Sequence, residues 1–205
     1  VHSCSKILKR MRTILILGAG RSASYLVDYL LNISVKENLQ ITIADISLEN
    51  AQKLAKNHDR SKVVLLDIFD EDSRSKLIKN ADIVISMLPA ALHILVAKDC
   101  LEFSKNLVTA SYVSKELKEL ENDVEKKGLI FMNEIGVDPG IDHMSAMQVI
   151  DRIKDKGGKM IMFESFTGGL VAPESDNNLW HYKFSWNPRN VVLAGQGGVA
   201  KFIQE

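Results

Sequence analysis

The chain has 205 residues, with 26 Lys plus Arg balanced by 26 Asp plus Glu, 46% hydrophobic and 25% charged residues. That balance gives no overall positive field to draw nucleic acid or an anionic membrane, so neither is an expected partner. No apolar stretch reaches the ~18 residues of a spanning helix, and the size suits one full domain plus part of another.

Cys4 and Cys100 lie far apart and lack metal-ligand spacing. Both read as free thiols of a reducing, cytoplasmic compartment, and no metal site is expected. Residues 1–11 read as an extension, because Lys6, Lys9 and Arg10 come with no acid and a strand-like run starts directly after Met11. A transit peptide is the alternative, although the segment is very short and has little amphipathic pattern.

The first strand is predicted at residues 13–17 and a helix at about 22–33. Between them stands Gly18-Ala19-Gly20-Arg21-Ser22-Ala23. Strand, Gly-x-Gly-x-x-Ala turn and helix together make the fingerprint of a dinucleotide-binding βαβ unit. Gly18 permits a tight turn, Gly20 lets the backbone approach a pyrophosphate, and the small Ala23 permits close helix–strand packing. The helix N-terminus offers free N–H groups and the positive end of a dipole to the phosphates.

A second strand at residues 40–44 ends in Asp45. A carboxylate there accepts hydrogen bonds from the adenosine ribose hydroxyls and repels a 2′-phosphate, which favours NAD over NADP. Ile46 and Ser47 supply no cation for that phosphate. The simpler alternative is that Asp45 merely caps the next helix, predicted at 47–57, which Ser47 can also do. A third strand at 62–66 leads to Asp67 and Ile68, placed to flank the adenine, although Asp67 also suits a solvated turn. A charged helix follows at 70–80.

A fourth strand at 81–87 opens into Ser86-Met87-Leu88-Pro89-Ala90. In this topology that loop passes the nicotinamide end of the cofactor, with Leu88 and Pro89 in contact. A helix runs from Pro89 to about residue 103, and His93 within it reads as a surface or packing histidine rather than a base. A fifth strand at 106–109 opens into Ala110, Ser111 and Tyr112, whose polar groups can bind substrate. Tyr112 and Lys115 do not have the Tyr-x-x-x-Lys spacing of short-chain dehydrogenases. Ser114 can cap the helix that follows.

A sixth strand at 129–133 precedes Gly136-Val137-Asp138-Pro139-Gly140-Ile141-Asp142-His143 and a helix at 141–156. Pro139 and Gly140 make a rigid turn, and Asp138 or Asp142 can cap the helix. Two acids and a histidine exceed what a cap needs. Asp138 can hold an ammonium or iminium group or exchange protons with it, and Asp142 and His143 are further candidates. Nearly all-apolar strands alternating with helices predict an α/β, doubly wound, right-handed parallel sheet of Rossmann-like kind, with helices on both faces.

The texture changes near Gly157. Residues 12–157 read as the dinucleotide-binding domain, and 158–205 as the N-terminal part of a truncated second, α+β domain for substrate or dimerisation. Residues 159–167 alternate like a strand. Gly168-Gly169, Pro173, Asn177-Asn178 and Pro188 break up the rest.

Four segments carry a resemblance: Ser-Met-Leu-Pro-Ala at 86–90, Val-Thr-Ala-Ser-Tyr-Val-Ser at 108–114, Gly-Val-Asp-Pro-Gly-Ile-Asp-His-Met at 136–144, and Gly-Gly-Leu-Val-Ala-Pro-Glu-Ser-Asp-Asn-Asn at 168–178. They resemble the saccharopine dehydrogenase family, L-glutamate-forming type, also called saccharopine reductase. The run Tyr182-Lys183-Phe184-Ser185-Trp186-Asn187-Pro188 with Ala194-Gly195-Gln196 is similar to the dehydrogenase part of bifunctional lysine-degrading enzymes. The resemblance extends over roughly residues 14–202.

The resemblance implies an oxidoreductase that interconverts saccharopine with L-glutamate and 2-aminoadipate 6-semialdehyde, using NAD or NADP. Condensation of the glutamate amine with the aldehyde, loss of water and hydride delivery to the imine carbon would form the product. By matched position, Gly18, Gly20, Arg21, Ser22, Ala23 and Ser24 would hold pyrophosphate. Asp45, Ile46 and Ser47 would face the ribose, and Asp67 and Ile68 the adenine. Leu88, Pro89, Ala110, Ser111, Val137, Asp138 and Pro139 would line the nicotinamide side. Ser111, Tyr112, Asp138 and Thr167 would meet saccharopine, with Phe184-Ser185-Trp186 approaching cofactor or substrate. Lys183 and Arg189 are the cations near these motifs in the tail.

Proton handling falls to Asp138, His143 or a water. Many family members use NADP and carry a basic or neutral residue where Asp45 stands. They also continue well beyond 205 residues, so this chain can bind cofactor yet turn over poorly, and a homodimer of the full-length protein is among the implied assemblies. Two other readings stay open: a related opine- or carboxynorspermidine-type dehydrogenase, and a non-catalytic NAD-binding module.

Overall fold

Period-two burial on both faces organises the sheet. Ile14 and Ile16 of β1 (Arg12–Leu17) turn to one side, and Leu15 and Leu17 to the other. The structure, a computed structural model, describes residues 10–166 and 170–183. Its remaining strands are β2 (Leu39–Asp45), β3 (Ser61–Leu65), β4 (Ile83–Ser86), β5 (Asn106–Thr109) and β6 (Phe131–Met132). All pair in parallel, in the order β3-β2-β1-β4-β5-β6. The order reverses between β1 and β4, which opens a crevice at their carboxyl ends.

Seven α-helices connect and cover the sheet among the described residues: α1 (Ser24–Glu37), α2 (Leu48–Ala55), α3 (Glu71–Lys79), α4 (His93–Glu102), α5 (Lys115–Glu119), α6 (Glu121–Lys126) and α7 (Ile141–Asp155). On one face, Val27, Leu30 and Leu31 of α1 and Ala51 of α2 pack over Ile41 and Ile43. On the other, Ile78 of α3 and Val96, Ala97 and Cys100 of α4 pack over Leu15, Val84 and Leu107. Apolar burial on two faces explains why the strand sequences are apolar nearly throughout. Side-chain caps start three helices, with Ser47, Asp70 and Ser114 accepting the amides of Asn50, Ser73 and Leu117.

The structure departs from the sequence expectations at several places, among them the helix expected from Pro89, which is a 3₁₀ turn at Ala90–Leu92 before α4 starts at His93. The first helix begins in a 3₁₀ turn at Arg21–Ala23. The helix after Ser114 divides at Leu120, whose amide turns to Leu117 O at 3.1 Å, a tighter i→i−3 bond. β6 is only two residues long: the Asn106 side chain takes the Ile130 amide at 2.9 Å, and Glu134 enters a left-handed conformation at φ 62°. Residues 159–166 form no strand. Their alternation finds no ladder partner among the described residues, and a strand is stable only when paired.

The chain divides into two compact units, 1–157 and 158–205. In the second, the described residues are irregular apart from a 3₁₀ turn at Pro173–Ser175. Among the described residues no helix is long and apolar enough to cross a membrane.

Candidate functional site

The glycine turn is built by its neighbours. Gly18 has φ +102°, and its amide donates to Ala44 O at 2.8 Å while the Met87 amide donates to Leu17 O at 2.8 Å. The ends of β1, β2 and β4 are thereby tied together. A Cβ on Gly18 would stand 2.9 Å from Met87 O, so only glycine fits both the angle and the space. Gly20 differs: a Cβ there would meet nothing within 4 Å. It precedes the Arg21–Ala23 turn, where no side chain caps the helix start. Exposed Arg21 and Ser22, open room above Gly20 and uncapped amides fit a diphosphate. Ala23 is fully buried under the turn, and Ser24 Oγ donates to Arg21 O at 3.1 Å.

Asp45 faces this turn. Its Oδ2 accepts the Ala19 amide at 2.6 Å and its Oδ1 the Ser47 amide at 2.7 Å. It therefore does not cap α2, and Ser47 does. Each carboxylate oxygen retains acceptor capacity for a ribose hydroxyl. Ile46 projects into solvent. Asp67 is an exposed turn residue whose Oδ1 accepts the Phe69 amide at 2.9 Å.

Ile68 beside it is buried, and its carbonyl accepts Arg74 Nη1 at 2.7 Å. Arg74 also makes a forked pair with Asp99 (Nε–Oδ2 2.8 Å, Nη2–Oδ1 3.3 Å), and Ser75 Oγ donates to the same carboxylate at 3.0 Å. This buried pair joins α3 to α4 and pins the loop after β3. Nothing in the local sequence spacing marked Arg74 or Asp99.

In the loop after β4, expected to meet nicotinamide, Leu88 is half-buried against the core and exposed Pro89 leads into a 3₁₀ turn before α4. His93 is a packing residue, not a surface one, at 1% exposure. Its Nδ1 lies 2.8 Å from Ser86 Oγ, and its Nε2 lies 2.7 Å from Ser111 Oγ and 3.1 Å from Thr109 Oγ1. Burial pushes its pKa down to about 4, so the ring is neutral near pH 7. The signal that could have found this network is polar residues at the ends of adjacent apolar strands: Ser86 and Thr109 are register partners.

The β5 and β6 loops are also bound together. The Glu134 amide donates to Ser111 O at 3.0 Å, and Glu134 Oε1 accepts the Val113 amide at 3.1 Å. A Cβ on Gly136 would lie 3.3 Å from Ala110 Cβ. Sequence reasoning missed Glu134. Ser111 is half-buried, and Tyr112, Val137 and Asp138 are exposed. Pro139 is buried and follows a cis peptide bond.

Neither Asp138 nor Asp142 caps α7, whose N-cap is Gly140 without a side-chain bond. Asp142 Oδ1 instead reaches back to accept the Gly140 amide at 2.8 Å and pairs with His143 Nδ1 at 2.8 Å. Burial works to raise the Asp142 pKa, yet bonds from the His143 ring and amide and from the Gly140 amide hold it below the ordinary value. The hydrogen bond to Asp142 and its charge raise the His143 pKa, with Asp138 and Glu134 adding to the effect. Thr167, Phe184, Ser185, Trp186 and Arg189 lie outside the described residues.

Known proteins match this arrangement. The model of the saccharopine dehydrogenase NADP binding domain matches residues 14–132, and that of the saccharopine dehydrogenase C-terminal domain matches 136–205. The chain belongs to the saccharopine dehydrogenase family. It is 42% identical over 89% of its length to saccharopine dehydrogenase [NADP(+), L-glutamate-forming] of Saccharomyces cerevisiae, spanning 40% of that protein. It is 40% identical, again over 89% of its length, to rat mitochondrial alpha-aminoadipic semialdehyde synthase, spanning 19% of it.

The apo structure of the yeast saccharopine dehydrogenase superposes with a TM-score of 0.77 over 89% of this chain and 40% of that one. KijD10, a 3-ketoreductase from Actinomadura kijaniata solved with NADP, superposes at 0.52 over 70% of this chain and 42% of that one, with 16% identity, a likeness of fold alone. The chain thus spans well under half the length of the curated relatives it matches. The C-terminal family model begins ahead of α7, which the division into compact units keeps with the sheet.

Proposed function

We propose that this chain carries the dinucleotide-binding half, and the first substrate contacts, of an oxidoreductase that interconverts saccharopine with L-glutamate and 2-aminoadipate 6-semialdehyde. The observation that carries this reading is the meeting of four loops at one sheet edge. The turn after β1 abuts Met87 and Leu88, His93 links the β4 side to Ser111, and Glu134 binds the β5 loop to the β6 loop.

In this reading the amides after Gly20 hold the diphosphate, Asp45 the ribose, and Asp67 and Ile68 border the adenine. Leu88, Pro89, Ala110, Val137 and Pro139 wall the nicotinamide side. A bound nicotinamide supplies or accepts hydride at the substrate carbon. Ser111 and Tyr112 orient saccharopine, and Asp138, exposed on the loop that Glu134 ties to theirs, holds its secondary amine or takes its proton. The His143 pairing with Asp142 favours the protonated ring, which suits a proton donor better than a base.

We further propose that NAD is the preferred dinucleotide, because Asp45 places a carboxylate where a 2′-phosphate would lie and Ile46 and Ser47 add no cation. The yeast relative carries NADP(+) in its name. The buried, protonated Cys100 thiol suits the reducing cytoplasmic setting expected from the sequence, whereas the rat relative is named mitochondrial.

The test is saccharopine-dependent reduction of NAD or NADP by the full-length protein, run beside a panel of other amines and aldehydes. No saccharopine-dependent signal with either dinucleotide refutes the reading.

A further inference from the structure

A neutral imidazole has two hydrogen-bonding positions. Ser86 Oγ at 2.8 Å and Thr109 Oγ1 at 3.1 Å already satisfy both nitrogens of His93. Both partners are buried at strand ends, and burying the ring requires no more than these two. Yet the shortest of its three contacts is to a third hydroxyl, Ser111 Oγ at 2.7 Å.

Ser111 is half-buried and sits on the loop that leaves the carboxyl end of β5. Its main chain is held as well, since the Ser111 amide donates to Thr109 Oγ1 at 3.3 Å and its carbonyl accepts the Glu134 amide at 3.0 Å. With backbone and side chain both held, the Ser111 oxygen has one position to offer. Burial keeps the ring neutral, so it can hold that oxygen either by giving or by accepting a proton in the bond.

We infer that His93 is a positioning residue for substrate: it aims the Ser111 hydroxyl at saccharopine and does not itself touch the substrate or the dinucleotide. The inference rests on the reading of Ser111 as a saccharopine contact. A hydroxyl locked before binding loses no rotamer freedom on binding, which raises affinity without adding a contact.

The test is a double-mutant cycle in the full-length protein saturated with dinucleotide, titrated calorimetrically with saccharopine. Ser111→Ala and His93→Asn should each weaken saccharopine about tenfold, the worth of one well-placed hydrogen bond. The double variant should be no weaker than either single one. His93→Gln, whose amide reaches the Nε2 position, should recover most of the loss, and dinucleotide affinity should stay within about twofold in both His93 variants.

Losses that multiply to about a hundredfold in the double variant overturn the inference. So does an unchanged saccharopine affinity in His93→Asn, or a parallel fall in dinucleotide affinity in that variant. Should His93→Asn not fold, the unaltered protein carries the test: saccharopine must shift the His93 ring ¹⁵N resonances, and resonances that stay put overturn the inference. Failure of the unaltered protein to bind saccharopine overturns the substrate reading itself, and is told apart because no variant is involved.

Discussion

Gly18 and Gly20 stand two residues apart, and the structure assigns them different work. Gly18 has φ +102°, and an added Cβ would lie 2.9 Å from Met87 O, 3.0 Å from Met87 C and 3.3 Å from Leu88 N, all backbone atoms. Gly18→Ala therefore carries backbone strain of roughly 1–3 kcal/mol and an overpacking cost of about 1–3 kcal/mol, since the β4 loop must move. The expected loss is about 3 kcal/mol, a large part of the roughly 5–15 kcal/mol stability of an ordinary domain. Gly20 has φ −72° and ψ 176°, ordinary extended geometry, with nothing within 4 Å of an added Cβ. Gly20→Ala should leave stability within about 0.5 kcal/mol, or raise it slightly by restricting the unfolded chain.

Dinucleotide affinity should nevertheless fall at least about tenfold in Gly20→Ala, because the methyl occupies the approach of the diphosphate. Urea unfolding followed by circular dichroism reads the first quantity, and calorimetric titration with NAD and NADP reads the second. Equal stability losses in the two variants, or parental dinucleotide affinity in Gly20→Ala, would refute the reasoning.

Removal of one partner from the buried Arg74–Asp99 pair, each side chain only 7% exposed, strands a charge in the core. Arg74→Ala should cost about 3–5 kcal/mol in urea unfolding, and an apolar replacement of both partners should recover most of it. Asp45→Asn keeps an acceptor for the Ala19 amide but removes the charge. The ratio of NADPH to NADH affinity should rise, and an unaltered protein that binds NADPH at least as tightly as NADH disproves the NAD assignment. Acid sensitivity follows from His93, whose pKa is pushed from 6.5 to about 4. As pH falls the unfolded chain takes the proton first, so stability is full above about pH 6.5 and declines toward pH 4 by up to about 3 kcal/mol. His93→Gln should flatten that part of the stability–pH profile, and a slope unchanged by the substitution excludes His93 as its source.

What the sequence by itself determined were features written in neighbouring residues. The apolar beat of strands and helices set out the doubly wound sheet. The Gly18–Ala23 turn and Asp45, which meet through the Ala19 amide, marked the candidate dinucleotide end, and Ser47, Asp70 and Ser114 stand where helices begin. Each depends on local periodicity or on a side chain reaching its own next turn, so a short window contains the information.

Tertiary structure alone decided the contacts between residues remote in the chain. Ser86, His93, Thr109 and Ser111 meet only because β4 and β5 pair in register and α4 starts over their ends. Arg74 finds Asp99 only because α3 packs on α4. Glu134 could not be read as the clamp on Val113 until the left-handed turn after β6 was in place. Residues 159–166 show the converse, with strand-like alternation and no neighbouring edge to pair with among the described residues. Hydrogen bonds across elements are fixed by register and packing, and those are properties of the assembled chain.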